Sequence, residues 1–301
     1  MASDMLSAIG AGEEGHTVSK ELHHLVSRRR FLAALGAAAA AAAFGGSACF
    51  VEHGGVKIYY EVHGAGPPLL LHHGWAGSSQ SWRQFGYLDA LTESYRVILM
   101  DARGHGRSDK PHDEAAYTME LRTGDVLAVL DGVGVDRVHY WGYSMGGRTG
   151  FALLQWRPDR VSSFINGAAA PTSPRMYEER RIRQWAEALR TGDYAAIAKG
   201  LGVPERSARA VIGDNDLEAL AAAQLGLLSW DGVDPATLTA PSFHYAGEQD
   251  PILPATRRAA EAMPGATFKM VPGLNHLTGF ARGDLVLPLA RDFLSGQGAA
   301  G

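Results

Sequence analysis

Short apolar runs and amphipathic segments alternate along the chain from residue 50 onward. Runs rich in β-branched and aromatic residues predict buried strands. Strands are predicted at Val56–Val62, Pro68–His72, Tyr95–Met100, Arg137–Trp141, Val161–Ile165, Phe243–Gly247 and Thr267–Val271, after a first strand near Phe50. Helices are predicted between them, at Ser79–Leu91, Met119–Val133, Met145–Trp156, Pro254–Met263 and Leu285–Leu294. This alternation predicts an α/β fold in which a mostly parallel sheet carries helices on both faces.

One segment interrupts the alternation, between Pro171 and Pro241. Consecutive helices are predicted there, at Tyr177–Arg190, Asp193–Leu201, Glu205–Ile212 and Leu217–Leu228. A run of helices between two strands of a parallel sheet indicates an insertion. We therefore expect an α/β core formed by residues 49–170 and 241–301, and a helical cap formed by residues 171–240.

The first 48 residues have a different character. Ser27–Leu32 (SRRRFL) resembles the twin-arginine export signal, and the alanine-rich stretch that follows has the length of a signal-peptide apolar region. Small residues at positions 46–48 favour cleavage after Ala48. We expect residues 1–48 to be an export signal that directs the protein to the periplasm. The alternatives are a disordered extension on a cytoplasmic protein, and a signal that ends at a lipidated Cys49.

Composition narrows the classes of function. The chain has 28 Lys and Arg against 32 Asp and Glu, and the net charge of −4 argues against binding to nucleic acid, which needs a basic face. The single cysteine, Cys49, excludes an internal disulfide and a cysteine-based zinc site. No run of 18 apolar residues is present, so we expect no membrane span.

A glycine-flanked serine follows one of the predicted strands. The sequence Gly142-Tyr143-Ser144-Met145-Gly146 joins a strand to a helix, which is the context of a Gly-x-Ser-x-Gly nucleophile elbow. Such a turn is sharp and strained, and the glycines allow the chain to pass closely on both sides. The helix N-terminus then directs free N–H groups at a developing oxyanion. The alternative is an ordinary turn in which Ser144 caps the helix.

Other strand ends carry groups that complete this chemistry. Leu69–Trp75 reads as a strand that ends in His73-Gly74, and the backbone N–H groups of Trp75 and Met145 are the candidate oxyanion donors. Asp250 follows one later strand and His276 follows the last, so they are the candidate acid and base. Glu248 competes with Asp250 because it lies at the same strand end. No further ligand stands at metal-binding spacing from the paired histidines His72 and His73, so no metal is expected.

The order Ser144, Asp250, His276 is that of the α/β-hydrolases, and residues 50–296 resemble an α/β-hydrolase-fold protein of the esterase or lactonase type. The Asp101–Ser108 segment (DARGHGRS) is similar to a turn that the family often carries after its fourth strand. The resemblance implies an eight-stranded sheet, a Ser144–His276–Asp250 catalytic triad and no cofactor. The loop prolines Pro251 and Pro254 match the family and favour Asp250 over Glu248.

The resemblance implies a serine hydrolase that cleaves small carboxylic esters or lactones through an acyl-enzyme intermediate. A serine at the elbow, where epoxide hydrolases and haloalkane dehalogenases of this fold have aspartate, argues against their alkyl-enzyme mechanism. A cofactor-free perhydrolase (haloperoxidase), a C–C bond hydrolase and a ligand receptor remain alternatives. The cap residues Trp185, Leu228 and Trp230 are candidates for the acyl pocket, or else belong to the core of the cap itself.

Overall fold

A computed structural model describes residues 47–297 of the chain, except for the side chains of residues 47 and 174–178. Within this part, one sheet has the strands β1 (Ser47–His53), β2 (Val56–His63), β3 (Pro68–His72), β4 (Arg96–Met100), β5 (Val138–Tyr143), β6 (Val161–Gly167), β7 (Ser242–Gly247) and β8 (Ala266–Val271). Their order is β1-β2-β4-β3-β5-β6-β7-β8. The pairs β1–β2 and β2–β4 are antiparallel, and all the other pairs are parallel. The predicted eight-stranded, mostly parallel α/β fold is confirmed.

Helices cover both faces of the sheet. Those of the core are α1 (Ser79–Gln84), α2 (Tyr87–Leu91), α3 (Met119–Val133), α4 (Met145–Trp156), α9 (Leu253–Ala262), α10 (Thr278–Ala281) and α11 (Gly283–Ser295). Between β6 and β7 lie the consecutive helices α5 (Pro174–Thr191), α6 (Tyr194–Leu201), α7 (Glu205–Ile212) and α8 (Leu217–Gly226), which we call the cap helices. The predicted single helix Ser79–Leu91 is two helices, because Gly86 adopts a positive φ of 79° between them.

The core is divided by the sheet into two apolar layers. Along β3, Leu70 packs with α3 and α4 on one face, while Leu69 and Leu71 pack with α1, α2 and α11 on the other. This alternation follows from the period of two in a strand. Each fully buried leucine contributes about 2 kcal/mol of transfer free energy, so the strand interiors fix the register of the whole sheet.

The cap helices have an apolar core of their own. Its buried members include Ile182, Leu189, Ile197, Ile212 and Leu220. Trp75 and Ala76, which belong to the loop after β3, pack against this cluster as well. The cap helices therefore meet the end of β3.

The predicted export signal lies almost entirely before the described part of the chain. The twin-arginine segment and the alanine run lie outside the described residues. Ala48 and Cys49 lie in β1 and pair with Glu61 and Tyr60 of β2. Among the helices of residues 47–297, none combines the length and the apolar character needed to cross a bilayer.

Candidate functional site

Ser144 stands on a strained turn between β5 and α4. Its backbone has φ 52° and ψ −107°, a conformation that is unfavourable for a residue with a Cβ. A Cβ built on Gly142 would lie 2.3 Å from the backbone of Gly146, and one on Gly146 would lie 2.2 Å from the His72 carbonyl oxygen. Both glycines are therefore needed for the tight packing of the elbow against β3. The resulting turn exposes one edge of Ser144 at the N-terminus of α4.

Ser144, His276 and Asp250 form a continuous hydrogen-bonded chain. His276 Nε2 lies 2.9 Å from Ser144 Oγ, and His276 Nδ1 lies 2.8 Å from Asp250 Oδ2. The other oxygen of Asp250 accepts a hydrogen bond from the Ile252 N–H at 3.0 Å. In a neutral imidazole with its proton on Nδ1, Nε2 is free to accept the serine hydroxyl proton. The three side chains stand in the relation that general-base activation of a hydroxyl requires.

Glu248, the competing acid, bonds to a different group. Its carboxylate accepts a hydrogen bond from the Gly273 N–H at 2.9 Å and is exposed, whereas Asp250 is buried. Of the two acids after β7, only Asp250 contacts His276.

The loop that carries His276 is held by buried tyrosine hydroxyls. Tyr143 Oη–H donates to the His276 carbonyl oxygen at 2.6 Å, and Tyr87 Oη–H donates to the Phe280 carbonyl oxygen at 2.9 Å. Burial raises the pKa of Tyr143 well above the usual tyrosine value, with a smaller contribution from the Asp250 charge. The phenol therefore stays protonated and remains a donor. No motif pointed to this support, because the partners are far apart in sequence.

The loop after β3 lies against the elbow. A Cβ on Gly74 would be 3.5 Å from the Ser144 Cβ, so the next peptide stands close to the serine. Met145 is the first residue of α4, and its N–H has no acceptor within that helix. In the described part of the chain, the Trp75 N–H donates to no backbone carbonyl. Within residues 47–297, neither of these two N–H groups therefore donates to a backbone carbonyl.

His73 fixes the base of this loop. Its Nδ1–H donates to the Gly74 carbonyl oxygen at 2.7 Å, and its Nε2 accepts from the Ala102 N–H at 3.0 Å. These two contacts require a neutral ring. Burial lowers the pKa of His73, and the charge of Asp101 opposes that effect only in part. The imidazole is a structural brace for the loop.

The Asp101–Ser108 turn is structural as well. Asp101 accepts hydrogen bonds from the backbone N–H groups of Ser79 at 2.6 Å and Arg107 at 2.8 Å. His105 donates from Nδ1 to the Arg103 carbonyl oxygen at 3.0 Å, inside the turn. The turn also presents the Ala102 N–H that His73 accepts. It therefore supports the loop after β3 from below.

The candidate pocket residues separate into two groups. Trp185 lies with its ring centroid 4.5 Å from that of Trp75, and Leu228 is buried in the cluster of the cap helices that Trp75 packs against. Trp230 lies elsewhere: it is buried in the sheet core, and its indole N–H donates to Gln155 at 3.0 Å, near the far end of α4. Trp185 and Leu228 therefore share one region with Trp75, and Trp230 does not.

Between Ser47 and Gln297, no group of three or more histidine, cysteine, aspartate or glutamate side chains is arranged to hold a metal ion.

Comparison with known proteins agrees with this architecture. Residues 67–201 match a family model described as alpha/beta hydrolase fold. A protein of Azorhizobium caulinodans with the provisional name carbamate hydrolase RutD is 40% identical over 120 residues, which cover 39% of this chain and 44% of that protein. The matched segment thus spans less than half of that relative. A protein of Caulobacter sp. (strain K31) with the same provisional name is 27% identical over 264 residues, or 80% of this chain and 97% of that protein.

A solved structure gives the same result. The enol-lactonase from Burkholderia xenovorans LB400 superposes with a TM-score of 0.70 and 26% identity, over 82% of this chain and 100% of the enol-lactonase chain. The chain therefore has the α/β-hydrolase fold. Within that fold class, it is similar in sequence to proteins named as carbamate hydrolases and in structure to an enol-lactonase.

Proposed function

We propose that the protein is a serine hydrolase that cleaves small carboxylic esters or lactones through an acyl-enzyme intermediate. The observation that carries this proposal is the chain of hydrogen bonds from Ser144 Oγ to His276 Nε2 at 2.9 Å and from His276 Nδ1 to Asp250 at 2.8 Å. A serine hydroxyl is a weak nucleophile, and this arrangement removes its proton during attack.

Acylation begins when Ser144 Oγ attacks the substrate carbonyl carbon and His276 Nε2 takes the hydroxyl proton. The carbonyl oxygen becomes an oxyanion, which accepts hydrogen bonds from the N–H groups of Trp75 and Met145. Asp250 stabilises the imidazolium without taking its proton. His276 then donates that proton to the leaving oxygen as the bond between the carbonyl carbon and this oxygen breaks.

Deacylation repeats these steps with water. His276 takes a proton from a water molecule while the water oxygen attacks the acyl carbon. The second tetrahedral intermediate uses the same two oxyanion donors. Collapse breaks the bond to Ser144 Oγ, which recovers its proton from His276, and the carboxylic acid is released. A lactone follows the same course and yields a hydroxy acid.

The substrate class follows from the surroundings of Ser144. Trp75 follows Gly74, which lies beside Ser144, and it packs on Trp185 and on the apolar cluster that contains Leu228. We propose that these three apolar side chains line a pocket for a small uncharged acyl chain. The relatives named as carbamate hydrolases and the enol-lactonase act, by their names, on acyl compounds of related kinds. We therefore expect activity in a panel of short p-nitrophenyl esters, simple lactones and carbamates, with esters or lactones preferred.

The direct test is hydrolysis of p-nitrophenyl acetate by the wild type and by Ser144→Ala. We expect the variant to retain at most about 0.1% of the wild-type kcat, because the covalent route is removed while the oxyanion donors remain. The melting temperature of the variant is measured alongside, and should match the wild type. A folded Ser144→Ala protein with wild-type activity would falsify the proposal.

We also propose that residues 1–48 act as an export signal of the twin-arginine type. Support comes from SRRRFL at residues 27–32 and from the alanine-rich stretch that follows. Cleavage after Ala48 leaves β1 to begin at Cys49, and removes the pairing of Ser47 and Ala48 with β2. Intact-mass measurement of protein from a periplasmic fraction tests this. We expect a chain that begins at Cys49; full-length chain confined to the cytoplasm contradicts it.

A further inference from the structure

We propose that the cap helices complete the oxyanion hole, with Asn215 as the positioning residue that holds the loop carrying the Trp75 N–H. This inference rests on the proposed serine-hydrolase function and concerns the same site. It assigns to the cap a role in catalytic geometry, in addition to covering the substrate.

The loop after β3 adopts a conformation that needs external support. Ala76 has a positive φ of 61°, which is unfavourable for a residue with a Cβ. A tight turn, closed by the Gly77 N–H to the Gly74 carbonyl oxygen at 3.0 Å, surrounds it. On the core side, His73 holds the loop by donating to the Gly74 carbonyl oxygen and accepting from the Ala102 N–H. None of these contacts is made to the carbonyl oxygen of Ala76.

Asn215 supplies the contact at Ala76. Its Nδ2 donates to the Ala76 carbonyl oxygen at 3.0 Å and to the Ile212 carbonyl oxygen at 2.8 Å. The backbone N–H of Asn215 also donates to Ile212 O at 3.1 Å, so the residue is fixed in the turn between α7 and α8. The amide therefore joins a rigid corner of the cap to the strained residue of the loop.

A second link lies next to the first. The Trp75 indole N–H donates to the Leu220 carbonyl oxygen in α8 at 3.3 Å, and the Trp75 ring packs on Trp185 of α5. The side chain of Trp75 is thereby bound to the cap, while the preceding residue, Gly74, lies against Ser144. Two adjacent residues of the loop after β3, Trp75 and Ala76, are thus bound to the cap helices by separate hydrogen bonds.

The consequence is a coupling between the position of the cap and the oxyanion hole. If the cap helices move away from the core, the bonds to Leu220 O and from Asn215 are lost together. Ala76 then relaxes from its positive φ, and the Trp75 N–H turns away from the position of the oxyanion. Substrate that enters beneath a displaced cap is thus committed to reaction only when the cap returns.

The test compares wild type with Asn215→Ala in the full-length protein, using p-nitrophenyl acetate. We expect kcat to fall about tenfold or more, with KM within about twofold of wild type. The reason is that the Trp75 N–H binds the oxyanion of the transition state rather than the bound ester. A methyl trifluoromethyl ketone, whose adduct with Ser144 carries an oxyanion, should lose affinity by the same factor as kcat/KM. A loss of packing alone does not produce equal losses in inhibitor affinity and in kcat/KM.

Two further variants sharpen the result. Glu218 lies on α8, as Leu220 does, and forms an exposed ion pair with Arg190 of α5. Glu218→Gln removes the charge of that pair and should leave kcat unchanged. Asn215→Asp keeps the size of the side chain and removes its N–H donors, so it should reproduce the loss of kcat if Asn215→Ala is too unstable to measure. Wild-type kcat in Asn215→Asp, or a rise of KM alone, overturns the inference. Failure of the proposed function is distinguishable, since the wild type itself is then inactive toward the ester.

Discussion

The two acidic residues after β7, Asp250 and Glu248, have different hydrogen-bond partners, and Asp250 alone of the two contacts His276. The Asp250 carboxylate is buried and divided between the imidazole and the Ile252 N–H, whereas Glu248, two residues earlier, is exposed and binds the Gly273 N–H. The acid that orients the base is therefore set by the geometry after β7. The two acids, two residues apart, allow a matched pair of substitutions, each of which replaces one carboxylate with an amide.

Asp250→Asn should lower kcat for p-nitrophenyl acetate by about 10³–10⁴-fold, because the amide favours the wrong tautomer of His276 and leaves the imidazolium unpaired. Glu248→Gln should change kcat by less than about twofold, since it touches neither His276 nor Ser144. Steady-state kinetics on both purified variants measures the difference. Equal losses in the two variants contradict the assignment of the acid.

Tyr143→Phe tests the support of the histidine loop. The variant loses the 2.6 Å hydrogen bond to the His276 carbonyl oxygen, and we expect about a 3- to 10-fold lower kcat with KM unchanged. Tyr87→Phe removes a comparable buried bond, to Phe280, and serves as the control for stability. Both variants should lose about 1–2 kcal/mol of unfolding free energy. A larger kcat loss in Tyr87→Phe than in Tyr143→Phe is inconsistent with this role.

At the same scale, the sequence predicts the reacting groups better than their supports. Ser144, Asp250 and His276 lie at strand ends and within short motifs, so local pattern and chain order suffice to select them. Asn215 and Ala76 are 139 residues apart, and Tyr143 and His276 are 133 residues apart. No local pattern encodes such contacts. Trp230 has the composition of a pocket residue, yet its burial against α4 is decided by tertiary packing.

Among the elements, the unit of β5, the elbow and α4 packs against β3 with no space for a methyl group. The Gly146 Cβ position lies 2.2 Å from the His72 carbonyl oxygen, a backbone atom that cannot move without shifting β3. The separation of these elements also sets the distance between Ser144 and the loop that carries Trp75. The glycines of the motif therefore maintain both stability and site geometry.

Gly146→Ala should destabilise the fold by at least about 2 kcal/mol and reduce kcat, because α4 must move away from β3. Gly296→Ala is the control: Gly296 ends α11 with φ −73° and its nearest contact for a Cβ is 3.5 Å away. That variant should lie within about 0.5 kcal/mol of wild type in urea unfolding. Equal stability of the two variants contradicts the packing argument.

Element boundaries illustrate a second limit of prediction from sequence. The bounds of α3, α4 and α7 match the predicted helices, whose ends are marked by caps and turn residues. Ser79–Leu91 was predicted as one helix, but Phe85 ends the first helix and Gly86 turns the chain with φ 79°. Glycine within a helical pattern is compatible with either outcome, and packing around Tyr87 decides.

For the molecule as a whole, burial of neutral histidines links stability to pH. Burial lowers the pKa values of His72, His73 and His105 around the site, and lowers the pKa of His244 in β7 to about 3. In the unfolded chain these groups titrate near pH 6.5. Their contribution to stability is complete above that pH and is lost as the pH falls, because the unfolded state then binds more protons.

His244→Gln measures one such contribution. The wild-type unfolding free energy should fall between pH 6.5 and about 3, and the variant should fall less steeply by about 1.4 kcal/mol per pH unit, which is one proton. Glutamine retains groups able to meet Asn166 and Ser242, the hydrogen-bond partners of the ring. Urea unfolding from pH 7.5 to 4.5 gives both slopes. Identical slopes show that His244 is not neutral in the folded protein.

The central claim is that Ser144 is an activated nucleophile. The most direct measurement is labelling of the purified protein with a fluorophosphonate, followed by intact-mass analysis and peptide mapping. The account predicts one phosphonyl group per chain on Ser144, formed as its oxygen displaces fluoride, and labelling slowed by at least about 100-fold in His276→Gln. Absence of an adduct on the folded wild type, or an adduct on a different serine, would contradict it.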